Sequence, residues 1–330
     1  MTDQPSLLQA KARELGPWRY DHQHGALKIA GDPSAAPIHG SLGRGADIMR
    51  HVLGRLGTWR DVSSMRAIDL GCLEGHYTEQ LCAAGFRKVV AVDLSAEHVA
   101  RARFLLQEVM GYTNVSVIEG SVEDRAFMQG LGHFDVILFH GLLYHMKDPI
   151  GIFETISRIA SPDHVLLLST QFKFEFAEIV VPSALANIKF RRLSEAATPL
   201  VHDSGVGSTY ASMAVRLNPR ALDRLLRQVG YRDLTAYDTP LGCRYGFHVH
   251  LIAATFDQTK LREALNRGHD IPNLKFFRWA GDRLDSFSLK DGWRSRFSRL
   301  VLRVAYAICE RLGRSGARQS LRAEIAHLSD

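Results

Sequence analysis

Two aspartates, Asp69 and Asp93, each close a short apolar run, RAIDL (66–70) and KVVAVD (88–93). Between them lies a glycine turn, GCLEG (71–75). An acid that ends an apolar strand is hard to explain by packing, because an unpaired buried carboxylate is costly. At the end of the second strand it can instead accept hydrogen bonds from both hydroxyls of a ribose. Gly71 permits a tight turn, and Gly75 lets a helix start close to the strand. This arrangement suits an adenosine-containing cofactor at the carboxyl edge of a parallel sheet. A dinucleotide wants G-x-G-x-x-G, which seats pyrophosphate on a helix N-terminus. Here Leu73 takes the middle position and Glu74 adds a carboxylate, which repels phosphate and suits a cation. The residues therefore argue against an NAD(P) oxidoreductase. They fit S-adenosylmethionine (SAM), which carries an ammonium and a sulfonium but no phosphate.

A sulfonium-bound methyl is already electrophilic. The protein needs to place a nucleophile in line and manage one proton, and no metal is required. Histidine titrates near neutrality and is the preferred candidate. His140 ends the predicted fourth strand and ranks first as base or acceptor-orienting group; His145 follows it. Tyr144 can hydrogen-bond the acceptor or the amino-acid part of the donor. His76 suits the donor carboxylate. The alternative for each histidine is a half-buried ring bonded to backbone. His140 and His145 stand at i, i+5, which does not put both on one helical face, so no metal site is expected.

Alternating elements must position these groups. Strands are predicted near 65–70, 88–93, 114–119, 134–139 and 163–170, with helices near 75–84, 95–110 and 149–160. Asp148-Pro149 marks a helix start. The expected fold is α/β: a doubly wound, mostly parallel, seven-stranded Rossmann-like sheet with an antiparallel last strand. Residues 1–60 read as an N-terminal arm or lid, with a Gly-rich approach (Gly40, Gly43, Gly45) and a short helix from Asp47 to about Leu56. Residues 61–256 form the catalytic domain, with 171–215 as an insertion capping the substrate side. A helix from Asn218-Pro219 and strands near 232–238 and 244–255 close the sheet. Residues 257–330 form a basic helical extension. Candidate substrate contacts are Tyr20 in the arm, His202 and Tyr210 in the cap, and Arg244 and His248 near the last strand, where His248 and His250 share a face.

These motifs resemble the core of class I SAM-dependent methyltransferases over residues 66–170. That pattern is carried by Asp69, Gly71, Cys72 and Gly75, by Asp93, and by Phe134-Asp135-Val136-Ile137 followed by HGLLYHMKDP. The nearest likeness is to tRNA wobble-uridine carboxymethyltransferases, which share Gly75-His76-Tyr77 and the run Gly141, Leu143, Tyr144, His145. The resemblance implies SAM as cofactor and S-adenosylhomocysteine as its spent form. It places the donor against Asp69, Gly71, Cys72, Glu74, Gly75 and His76, against Asp93 and Leu94, and beside His140. Adenine falls to Ser121, Val122 or Glu123. Two departures stand out: Leu73 replaces the usual middle glycine, and Ser121 stands where many relatives have an acid.

The chain carries 41 Lys and Arg against 35 Asp and Glu, net +6. Residues 257–330 hold 15 basic and 9 acidic residues, so the first 256 are balanced at 26 each. A balanced catalytic body favours a small-molecule, sugar or lipid-headgroup acceptor, methylated on oxygen or nitrogen. tRNA, whose binding needs phosphate neutralisation, is the alternative acceptor. The segment 293–312 reads as a basic amphipathic helix, either docked on its own domain or touching a membrane surface or acidic partner. Four cysteines without paired spacing argue against disulfides and zinc. No basic-then-apolar leader and no apolar run of ~18 residues is found, and a cytoplasmic transferase is expected.

Overall fold

An arm precedes the glycine turn. Helix α1 (Gln4–Glu14) leads past the buried Trp18 into an antiparallel hairpin, β1 (His22–His24) and β2 (Leu27–Ile29). Helix α2 then runs from Ala36 to Trp59. The expected helix began only at Asp47, because Gly40, Gly43 and Gly45 read as helix breakers. The structure carries the helix through all three. Pro37 lies in its first turn, where a missing N–H is tolerated. Further along, Ile48, Met49, Val52, Leu53 and Leu56 bury against the core, which outweighs the roughly 1 kcal/mol helix penalty of each glycine. Gly45 is also required by packing, since a Cβ there would strike the Tyr77 hydroxyl.

The computed structural model describes residues 4–33, 36–172, 176–181, 188–193, 198–200, 214–217, 219–237, 247–271 and 274–279. Beyond the arm, strand and helix alternate: β3 (Arg66–Leu70), α3 (His76–Ala83), β4 (Lys88–Asp93), α4 (Ala96–Arg103), β5 (Val115–Glu119), α5 (Arg125–Gly130), β6 (Phe134–His140), α6 (Pro149–Ile159) and β7 (Ala160–Phe172). These strands carry continuous apolar runs because helices cover both faces of the sheet. Ala67, Ile68, Val89, Val92, Ile137, Phe139 and Leu167 all lie buried. Helix starts follow their caps. Ser95 accepts from His98 N–H, Asp124 from Ala126 and Phe127, and Asp148 from Ile150 and Gly151 with Pro149 in the first turn. Helix α4 passes directly into a π-helical turn, Phe104–Val109, which buries three consecutive side chains, Phe104, Leu105 and Leu106.

After β7 come two antiparallel pairs, β8 (Phe176–Val181) with β9 (Ile188–Leu193) and β10 (Thr198–Leu200) with β11 (Ala214–Arg216). They occupy the predicted cap, and β11 abuts the 3-10 turn Leu143–His145. Helix α7 (Pro219–Gln228), strand β12 (Asp233–Tyr237) and strand β13 (Phe247–Ala254) follow. Then come α8 (Thr259–Leu265) and β14 (Phe276–Arg278).

The main sheet has the order β14-β12-β13-β7-β6-β3-β4-β5. Strands β3 to β7 pair in parallel, and β13 runs antiparallel between β7 and β12, as expected of a closing strand. An eighth strand, β14, adds antiparallel to β12 from within the segment read as an extension. The basic segment 293–312 lies outside the described residues. Among the described residues no helix is long and apolar enough to cross a membrane. Strand order reverses between β3 and β6, so their loops part at a crevice above the carboxyl ends.

Candidate active site

The turn after β3 forms one wall of that crevice. Gly71 (φ +77°) and Gly75 (φ +85°) both take left-handed conformations. A Cβ on Gly71 would sit 2.9 Å from Leu142 Cδ2, so the segment after β6 lies directly over the turn. Leu73 is left-handed as well (φ +50°), the one non-glycine residue with positive φ among the described residues. It therefore adopts the backbone a glycine would take. Its N–H donates to Asp93 Oδ2 at 2.9 Å. Asp93 Oδ1 accepts from Ser95 N–H and from His98 Nδ1, each at 3.0 Å. Asp93 thus braces the turn while its carboxylate remains at the strand end. Cys72 turns its thiol into the core, where burial pushes the thiol pKa well up, so only its backbone borders the crevice.

Asp69 is buried and accepts from Thr78 Oγ1 at 2.6 Å. Burial raises its carboxyl to about 7, against the pull of the Thr78 bond, and the nearby Asp93 charge adds to the rise. Two acids with little cationic compensation make this wall receptive to a positive ligand. Glu74 departs from expectation. Predicted to face the donor, it is 1% exposed and accepts from Arg19 N–H (2.6 Å), Tyr20 N–H (3.1 Å) and His22 Nε2 (3.1 Å). Its position in the turn was readable, but its side chain leaves the crevice to meet the arm.

The opposite wall follows β6. Tyr144 folds back so that its hydroxyl lies 3.5 Å from the Cβ position of Gly141, and the Tyr144 and His145 rings meet at 4.3 Å. His140 pairs with Ser169 across β6–β7, Ser169 with His250 across β7–β13, His250 with Tyr237, and Tyr237 with Phe276. One row therefore crosses five strands, and residues paired directly opposite share a face. His140 stands edge-on to Tyr77 (4.9 Å) and to His250 (5.6 Å), and Tyr237 stacks on His250 (5.1 Å). Both ring nitrogens of His140 are covered and have no hydrogen-bond partner among the described residues. Burial drives its pKa down to about 3, so the ring is neutral. Among the described residues no backbone group bonds this ring, which was the alternative reading of this histidine. A covered imidazole with no partner is uncommon among buried polar groups. Burial also raises the Tyr77 phenol to about 12, so it stays a protonated donor near neutrality.

The remaining predicted residues are placed as follows. His76 starts α3 with its ring edge-on to Tyr77 at 5.3 Å. Leu94 follows Asp93 with 39% exposure, an apolar surface at the rim. Val122 is buried, Ser121 Oγ accepts from Glu123 N–H, and Glu123 Oε1 accepts from Lys147 N–H, tying this loop to the segment after β6. Tyr20 is half-buried in the arm, and its phenol pKa is raised chiefly by burial. His248 pairs in register with Gln171. His202, Tyr210 and Arg244 lie outside the described residues. Sequence reasoning missed Tyr77 as a wall residue and missed Ser169 and Tyr237 altogether. Tyr77 adjoins the Gly75-His76 motif and was findable; the row is set by strand register, which has no local signal.

Residues 44–236 match a family described as "Methyltransferase domain". Among curated proteins, the ubiquinone biosynthesis O-methyltransferase of Xanthomonas campestris pv. campestris (strain B100) is 34% identical over 105 residues, 32% of this chain and 42% of that protein. The tRNA U34 carboxymethyltransferase of Desulfotalea psychrophila is 27% identical over 111 residues, 34% of each chain. The chain thus spans less than half the length of either relative. Among solved structures, the N-terminal domain of EvdMO1 with SAH bound aligns with a TM-score of 0.57 at 22% identity, over 77% of this chain and 96% of that one, which shows a shared fold.

Proposed function

Because the chain belongs to the methyltransferase-domain family, we propose that it transfers a methyl group from SAM to an oxygen or nitrogen of a small-molecule, sugar or lipid-headgroup acceptor. The observation that carries this reading is the wall at the sheet's switch point: a left-handed turn braced by Asp93, with Asp69 buried beside it. In this reading Asp93 accepts a ribose hydroxyl on the remaining lone pair of Oδ2, Oδ1 being taken by Ser95 and His98. Gly71 and the backbone of Cys72 border the amino-acid part, with Asp69 meeting its ammonium and His76 its carboxylate. Leu94, Ser121 and Val122 flank the base. SAM supplies an electrophilic methyl.

The acceptor side belongs to His140 and its neighbours. A neutral imidazole whose nitrogens have no partner accepts a hydrogen bond from the acceptor's O–H or N–H and takes that proton as the new bond forms. Its low resting basicity makes it an orienting group first; a polar acceptor that replaces the apolar surroundings raises its proton affinity. Tyr77 and Tyr144 supply donor hydroxyls. The likeness to the tRNA U34 carboxymethyltransferase supports a second reading, an RNA acceptor. Steep loss of tRNA affinity between 50 and 200 mM salt, about 10³-fold or more, would support it.

Calorimetry with SAH tests the primary reading. Asp93→Ala is expected to weaken binding by about 1–3 kcal/mol, the loss of charged hydrogen bonds to a ligand. His140→Ala is expected to leave SAH affinity intact and to lower turnover. Absence of SAH binding at millimolar concentration refutes the reading.

A further inference from the structure

Glu74 sits inside the glycine turn, yet its carboxylate is committed to the arm. Its two oxygens receive the consecutive backbone N–H groups of Arg19 and Tyr20 and the Nε2 of His22, with Arg101 Nη1 at 3.8 Å behind them. Arg101 in turn donates from Nε to Leu15 O at 2.8 Å. The arm has a second fastening, apolar: Trp18 is buried, donates to Ala12 O and packs on Phe104 at 6.1 Å. With 1% exposure and three hydrogen bonds accepted, Glu74 has no surface left for a ligand while the arm is in place. A tight turn does not need an acid at this position; an arm that must end at a fixed place does.

We propose that Glu74 is a positioning residue that latches the N-terminal arm to the glycine turn and so makes Tyr20 a wall of the acceptor side. Tyr20 N–H is one of the latched groups, so the latch fixes the backbone from which the Tyr20 phenol extends. Tyr77 meets His140 edge-on at 4.9 Å, and after burial the field of the Tyr20 phenol adds to the rise of the Tyr77 pKa. The latch thus joins the turn to the arm segment that carries Tyr20, and Tyr20 acts electrostatically on Tyr77 beside the group assigned to the acceptor. A ligand that fixes the turn must by linkage favour the latched arm. The latch itself follows from the geometry alone; its role toward an acceptor rests on the methyl-transfer reading.

Hydrogen exchange read by mass spectrometry on the full chain tests this, with SAH as the probe. In the wild type, peptides covering 18–22 exchange at least tenfold more slowly once SAH is saturating. In Glu74→Ala the same peptides exchange at least tenfold faster than in the wild type and do not respond to SAH. Glu74→Gln keeps an acceptor for only one of the two N–H groups, which Glu74 receives on separate oxygens, so peptides 18–22 should exchange at a rate between wild type and Glu74→Ala while β3 and β6 stay unchanged, which a generic loss of stability would not produce. Peptides from β3 and β6 report whether each variant is folded. If Glu74→Ala is not, the wild-type response to SAH and the Glu74→Gln pattern decide. Wild-type protection of 18–22 in a folded Glu74→Ala, or an arm indifferent to SAH that calorimetry shows to be bound, overturns the latch. Failure of SAH to bind at all overturns the methyl-transfer reading and leaves the latch to the comparison of Glu74→Ala with the wild type.

Discussion

Burial holds the Asp69 carboxyl at about 7, with Thr78 as its hydrogen-bond donor. Its folded pKa lies above the unfolded value, so the stability it contributes is fully present below about 4 and is lost as pH rises through about 7. Asp69→Asn keeps an acceptor for Thr78 and removes the ionisation. Its Tm should exceed that of the wild type by roughly 3 °C or more at pH 8 in thermal unfolding, with the gap closing below pH 5. An ammonium placed beside Asp69 favours the ionised form, so binding of SAH near pH 7 should release a proton. Calorimetry in buffers of different ionisation enthalpy reads that proton, and Asp69→Asn should abolish it. His140 runs the other way: its folded pKa of about 3 lies below the unfolded value, so it removes stability as pH falls below about 6.5. The two aspartates at the strand ends were readable from residue type and spacing. Glu74 was not, because spacing locates a residue in a turn without saying which way its side chain leaves; its partners lie about 55 residues upstream.

The β3–α3 turn and helix α2 show how elements absorb sequence that breaks local rules. Leu73 bears a left-handed strain of about 1–2 kcal/mol, offset by the bond from its N–H to Asp93. Leu73→Gly relieves that strain but loses side-chain contact and adds unfolded-state entropy, so stability should stay within about 1 kcal/mol. Leu73→Val, with a branched Cβ at positive φ, should cost about 1–2 kcal/mol and weaken SAH binding; denaturant unfolding and calorimetry measure both. Strands β3, β4 and β6 were legible because helices cover both faces and force continuous apolar runs. Helix α2 was cut short in the sequence reading because glycine propensity is local, whereas the need for Gly45 comes from Tyr77 on another helix. The His140–Ser169–His250–Tyr237–Phe276 row was not legible, since pairing register joins residues that no sequence window contains.

At the scale of the molecule, the segment after β13 is part of the sheet's fabric. Arg262 Nη1 donates to both oxygens of the buried Asp233 at 2.8 Å and lies 3.1 Å from Thr235 Oγ1, while Gln258 N–H donates to Asp233 Oδ2. This network ties α8 to β12, and β14 pairs on the other edge of β12. Arg262→Leu leaves the buried Asp233 carboxylate with only the exposed Arg278, 3.8 Å away, as a cation and should lower stability by up to about 3–5 kcal/mol in denaturant unfolding. The sequence reading ends the catalytic body at the closing antiparallel strand, because apolar periodicity over 257–279 is too short to announce a helix and a three-residue strand.

The π-helical turn after α4 has a consequence for how the arm and the glycine turn stay aligned. Phe104 meets Trp18 of the arm, and Leu106 lies within 3.0 Å of where a Gly75 Cβ would stand. The widened coil lets neighbours in the chain grip two separate partners at once. Deleting a single residue there would swing everything beyond it by about 100° around the helix axis. One grip would be kept and the other thrown out of phase, so the π-helical turn sets a register shared by the arm and the glycine turn.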